Sequence, residues 1–226
     1  MNRLFLFFVL LIFNNIIFSQ VQENISYSSK IKVFLLAGQS NMDGRGDASK
    51  ITKEEKKLLK LAQNNISYYY KGTTNNIKEP IIQDGVLDVT DPWEYVKNKF
   101  RIEKCFGPEL FFGIELAKQY PQEKFLFIKR SEGGTSLYGA WNPNWTLEKA
   151  QVKQEGHKPK LYQDFINVVD SQLEKLQPGS YEIVGMLWVQ GESDSGNRHG
   201  PLPTETYAEN LTSLIQKVRV HYKVDD

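Results

Sequence analysis

The sequence predicts an α/β protein, a three-layer α/β/α sandwich on a parallel sheet, and three observations predict it. Residues 31–37, 125–130 and 183–188 are short runs rich in aliphatic and aromatic side chains, with no polar alternation. Strands covered on both faces have that composition. Each run ends in a small or polar cluster: Gly38-Gln39-Ser40-Asn41-Met42, Gly133-Gly134-Thr135-Ser136 and Gln190-Gly191-Glu192-Ser193-Asp194. Segments with helical spacing lie between the runs, and such connections in a parallel sheet are right-handed crossovers.

In chain order, residues 1–19 carry one positive charge, Arg3, before an apolar stretch broken by Asn14-Asn15. A membrane span needs about 20 apolar residues, so this reads as a secretory signal peptide cleaved near Ser19. It is expected to place the mature protein in the periplasm or outside the cell. Residues 20–30 form a polar linker, and one domain occupies 31–226. Asn24, Asn65, Asn144 and Asn210 begin Asn-x-Ser/Thr triplets, which mean glycosylation only in a eukaryotic host.

After the first strand and its turn, residues 47–104 break the strand-helix alternation and read as an elaboration over the site. Within it, residues 53–63 suit a charged helix with Leu58, Leu59, Leu61 and Ala62 on one side. Tyr68-Tyr69-Tyr70 suggests a short strand, and Asp84-Gly85, Asp91-Pro92 and Trp93 mark loops. The aromatics there suit either a sugar platform or core packing. Residues 108–120 make a better helix: Pro108 fits its first turn, Glu109 complements its dipole, and Leu110, Ile114 and Ala117 form a stripe ending before Pro121. Residues 141–160 read as a loop. Leu161, Phe165, Val168, Val169, Leu173 and Leu176 keep helical spacing up to Pro178-Gly179, and a final helix runs through Tyr207, Leu211, Leu214, Ile215 and Val218.

Of the 226 residues, 40% are hydrophobic and 24% charged, enough for one domain with a real core. The net charge of +1 points to no polyanion partner, so no nucleic acid is expected. A single cysteine, Cys105, excludes an internal disulfide and reads as a small core residue.

A serine in the turn after a strand sits where open α/β sheets place their ligands, and Gly44 and Gly46 leave room for a substrate. Ser40 is therefore either an acyl-transfer nucleophile or an N-cap serine. In a parallel sheet, Ser40, the Gly133-Gly134 amides, Gln190 and Glu192 would gather on one carboxyl edge.

These three clusters, in this order and at strand ends, resemble the blocks of the GDSL/SGNH hydrolase superfamily. Within it the chain is similar to the carbohydrate esterases that include acetylxylan esterase family six and sialate O-acetylesterase-like domains. The resemblance covers residues 32–219. It implies a flavodoxin-like sandwich and removal of O-acetyl groups from a carbohydrate through an acyl-enzyme. Ser40 would be the nucleophile. The oxyanion and substrate-binding set would be the Ser40 amide, Gly134, the Gln190 carboxamide and Asn41. Glu192 would be either a triad acid or a structural partner of the first block, with Asp194 able to share either task. The chemistry needs no cofactor, and no ligand spacing implies a metal. The partner expected is an acetylated carbohydrate; no stable membrane insertion follows signal cleavage, and oligomeric state is not indicated.

Family members carry their base in an Asp-x-x-His near the carboxyl terminus, beyond a further strand, and this sequence has none. Against that pattern the domain is C-terminally incomplete: a fragment of a longer esterase, or a short form that binds acetylated sugar without turning it over. His157, His199 and His221 read as surface residues, with His199 the nearest substitute base because its loop leaves the active edge. Arg45-Gly46-Asp47 is an adhesive tripeptide that falls inside the first block by coincidence.

Overall fold

The computed structural model describes residues 30–73, 79–196 and 198–224; the expected signal peptide and all of the linker except Lys30 lie outside them. The strands are β1 (Ile31–Gly38), β2 (Gly46–Asp47), β3 (Ile66–Thr73), β4 (Ile81–Val86), β5 (Cys105–Phe106), β6 (Phe125–Glu132) and β7 (Tyr181–Val189). The helices are α1 (Ser40–Asp43), α2 (Lys53–Ala62), α3 (Glu94–Phe100), α4 (Pro108–Gln119), α5 (Leu147–Val152), α6 (Leu161–Leu173), α7 (Leu202–Glu205) and α8 (Tyr207–Tyr222).

Five strands form one sheet in the order β4-β3-β6-β1-β7, parallel except for β4, while β2 and β5 make a separate two-residue ribbon. The lack of polar alternation in β1 now has its reason. Val33, Leu35 and Ala37 face a cluster with α6 and α8, supplied by Leu161, Phe165, Val169, Leu214 and Val218. Phe34 and Leu36 face the opposite cluster, supplied by Leu59 and Ala62 of α2 and Leu110 and Ile114 of α4. The molecule is the expected sandwich, helices on both faces of a mostly parallel sheet.

Residues 47–104 differ from expectation. They do not form a cover alone: β3 enters the main sheet beside β6, and β4 extends it antiparallel. Tyr68 and Tyr70 are 2% exposed and belong to the core, not to a sugar platform. Asp84-Gly85 lies within β4, whose exposed outer positions tolerate residues that a central strand excludes. Leu61 is 57% exposed, so the apolar stripe of α2 is narrower than its leucines suggested; the helix start is fixed instead by a capping box between Thr52 and Glu55. Residues 141–160, read as a loop, contain α5, capped by Thr146. Helix α3 was hidden by Pro92 and by its short, charged sequence.

Candidate active site

Strand register assembles the site. Gly38 is level with Ser131 on β6 and with Val189 on β7, so the segments following all three strands emerge side by side. Gly38 is required there: its φ is +151°, and a β-carbon on it would stand 2.1 Å from the Val189 carbonyl oxygen. The chain then turns into α1, with Gln39 as N-cap and Ser40 as the first helical residue. Ser40 is therefore not the cap, and its hydroxyl has no hydrogen-bond partner among the described residues.

Gly133 stands against this turn. A β-carbon there would lie 3.5 Å from Ser40 Cβ, 3.1 Å from Asp43 Oδ2 and 3.6 Å from Arg45 Nη2, so the missing side chain keeps the space beside Ser40 open. Gly134 has φ +68° and carries the chain through a turn closed by the Thr135 hydroxyl, which donates to the Glu132 carbonyl at 2.6 Å. The Ser40, Gly133 and Gly134 amides have no acceptor among the described residues.

The loop from Gly133 to Ala140 is clamped by two buried carboxylates. Asp194 accepts from the Leu137 and Tyr138 amides at 2.8 and 2.9 Å and from Gln190 Nε2 at 2.6 Å. Glu155 accepts from the Ser136 amide, the Ser136 hydroxyl and the Ala140 amide. Burial raises the pKa of both; that of Glu155 reaches about 7, against the opposing pull of those donors. Glu132, next to the glycine pair, is held by Lys158 at 3.0 Å. Sequence reading missed Glu155 and Lys158, because a charged run gives no sign of which members turn inward.

Gln190 and Gln39 tie the β7 loop to the β1 turn. Gln190 Nε2 has three acceptors for two hydrogens: Asp194, Thr135 O at 3.1 Å and Gln39 Oε1 at 3.1 Å. Its Oε1 is buried without a partner among the described residues. The Ser193 amide also donates to Gln39 Oε1, at 3.3 Å. Glu192 is exposed and accepts a hydrogen bond from the Asn41 carboxamide. Ser40, Asn41, Gly134, Gln190 and Glu192 thus share one carboxyl edge, while Asp194 is occupied with the loop.

Asp43 and Arg45 complete this edge. Asp43 is 5% exposed, and neither carboxyl oxygen meets hydrogen-bond geometry with a partner. Burial pushes its pKa up to about 6, against the opposing effects of Ser131, Lys129, Arg130 and Arg45. Lys129 anchors the same turn, donating to the Asp43 carbonyl at 3.1 Å and to Glu109 Oε2 at 2.8 Å. Arg45 donates from Nη2 to the Tyr95 hydroxyl at 2.8 Å, and Asp47 caps the following turn by accepting from the Ser49 amide at 2.9 Å. Both ends of the Arg45-Gly46-Asp47 tripeptide are thus engaged within the fold.

No imidazole of the described residues reaches Ser40. His221 pairs with Asp170 at 3.1 Å, 14 positions along α8 from Tyr207, whose hydroxyl donates to the Gln190 carbonyl. At about 1.5 Å per residue that is roughly 20 Å from the active edge. His157 is exposed, and His199 lies beside Val152 and Lys153. Among the described residues no group of three or more His, Cys, Asp or Glu side chains is placed to hold a metal, and no helix is long and apolar enough to cross a membrane.

A search of curated protein sequences finds no match. Among solved structures, the chain is similar to a carbohydrate acetylesterase from Xanthomonas citri, with 13% identity and a TM-score of 0.49, over 85% of this chain and 39% of that one. The chain therefore spans about two fifths of that protein's length. The sequence model of the family described as "Carbohydrate esterase, sialic acid-specific acetylesterase" matches residues 30–226, and the chain belongs to this family.

Proposed function

We propose that the chain acts as a serine esterase on O-acetylated carbohydrate, through an acyl-enzyme on Ser40. The observation that carries this reading is that Gly133 stands against Ser40 at the end of the central strand, and that the Ser40, Gly133 and Gly134 amides have no acceptor among the described residues. Ser40 Oγ attacks the acetyl carbonyl carbon as its proton passes to solvent, and the oxyanion that forms is held by the Ser40 and Gly134 amides. Collapse breaks the bond to the sugar oxygen, which leaves with a proton as the free hydroxyl. Water then attacks acetyl-Ser40, releasing acetate and restoring the serine. Gln190 supports the oxyanion donors by fixing the two loops, and Glu192 fixes Asn41 beside the nucleophile. The apolar composition of residues 1–19, read as a leader, favours action outside the cytoplasm.

A second reading, in which the same pocket binds acetylated sugar without hydrolysing it, is favoured by the observation that no imidazole of the described residues bonds to Ser40. Acetate release from acetylated xylan and from O-acetyl sialic acid separates the two. The esterase reading expects release that Ser40→Ala abolishes; binding with no acetate above the variant's level favours the binder.

A further inference from the structure

The buried charges that the ester chemistry leaves unused centre on Lys129. It lies on β6, the strand that delivers Gly133-Gly134, and its side chain is fully buried. An ammonium has three hydrogens to place. One goes to the Asp43 carbonyl at 3.1 Å and another to Glu109 Oε2 at 2.8 Å, and the centre of the Tyr70 ring lies 4.4 Å away. Glu109, 2% exposed, accepts with its other oxygen from the Gly107 amide at 3.0 Å. An unbroken chain of bonds therefore runs from the last residue of α1 to the residue before α4. Gly107 closes it on the nucleophile turn: a β-carbon there would stand 2.9 Å from the Met42 carbonyl oxygen, 2.9 Å from Lys129 Nζ and 2.4 Å from Glu109 Oε2.

A buried ion pair is a poor source of stability. Taking two charges out of water costs about what their attraction returns, and apolar side chains of similar volume often serve the core as well or better. What apolar groups cannot supply is direction, and α1 needs it. A single helical turn does not hold its form alone, so α1 takes its place from whatever holds its two ends. Its amino end is tied to β7, where the Gln39 amide donates to the Val189 carbonyl at 3.0 Å. Its carboxyl end is tied to β6 by Lys129. The nucleophile turn is thus referenced to the same strand that carries the glycine amides. We propose that Lys129 and Glu109 are positioning residues, which fix the Ser40 hydroxyl and amide against the Gly133-Gly134 loop. This rests on the reading of Ser40 as the reacting group. A displacement of about 1 Å there would cost about a hundredfold in rate.

The test replaces the pair by apolar side chains, Lys129→Met together with Glu109→Leu, in the full chain. A pair that served stability alone would leave turnover native in whatever protein folds. Positioning predicts a melting temperature close to the native one, with kcat on p-nitrophenyl acetate, counted per folded molecule, lowered about a hundredfold and KM nearly unchanged. Glu109→Gln keeps the volume but can accept from only one of Lys129 and Gly107, so its kcat is expected to fall between; it carries the test alone if the double variant does not fold. Native kcat in either folded variant would overturn the proposal. Amide hydrogen exchange at residues 39–44 gives a readout that needs no turnover. Exchange there is expected to quicken about tenfold or more in both variants, with α6 unchanged. If the unmodified chain releases no acetate while exchange quickens in this way, the esterase reading falls and the positioning stands. Native exchange at residues 39–44 in both variants overturns the positioning, whether or not the chain hydrolyses esters.

Discussion

Asp43 is the residue whose environment departs furthest from that of an ordinary carboxylate near Ser40. Its folded pKa of about 6 stands above the ordinary 3.8, because burial penalises the charged form more than Lys129, Arg130 and Arg45 favour it. A carboxyl raised in this way adds stability that is fully present below about pH 4 and is lost as pH rises through 6. Asp43→Asn removes that dependence. In urea titrations the variant should gain up to about 3 kcal/mol on the native protein between pH 4 and pH 8; an identical pH dependence in both would show that Asp43 is not desolvated. Gln190 gives a second test at this scale. A residue that only donated to the oxyanion would cost turnover when removed. Because the Gln190 amide hydrogens are taken by Asp194, Thr135 and Gln39, Gln190→Ala should lower the melting temperature and, by letting the two loops shift, reduce turnover by about a hundredfold. Lost turnover with an unchanged melting temperature would assign it to the oxyanion alone. Ser40, Gly134 and Gln190 were legible in the sequence because glycine and small polar residues after apolar runs are themselves the signal. Asp43 and Arg45 were not, since nothing in a one-letter string separates a buried charge from a solvated one.

Among the elements, those that the sequence disclosed are the ones with a single strong pattern. Strands β1, β6 and β7 each contain an apolar run of at least four residues, and α4, α6 and α8 keep their stripe over three turns or more. Strand β4 and helix α3 are short and polar, and tertiary contact alone decides their form. Gly113 on α4 makes the same point energetically. By helix propensity, Gly113→Ala should stabilise by about 1 kcal/mol. Its added carbon, however, would stand 2.4 Å from Leu87 Cδ2, 2.9 Å from Ile66 Cδ1 and 3.2 Å from Phe127 Cε2, all in the packed core. Overpacking of that kind costs about 1–3 kcal/mol, so the net effect expected is destabilisation. A raised melting temperature in Gly113→Ala would mean that the α4 contact with the sheet is looser than described.

Over the whole molecule, the site exists because three strand ends arrive in register, and no single motif contains it. The sequence supplied the three clusters but not their spacing in the sheet, which depends on β6 inserting between β3 and β1. Strand β7 is an edge of that sheet among the described residues, and its apolar residues are only half covered, with Val184 44% exposed. Apolar edges template pairing with other chains. The 226-residue chain should therefore self-associate with rising concentration, and Val184→Lys should reduce this in sedimentation experiments; equal association by both proteins would clear the edge. The most direct test of the central claim is to incubate the protein with p-nitrophenyl acetate, quench it in acid and map its peptides by mass spectrometry. An acyl-enzyme mechanism predicts one acetyl group on Ser40, absent from the Ser40→Ala protein. Acetate release that leaves Ser40 unmodified and survives Ser40→Ala would contradict it.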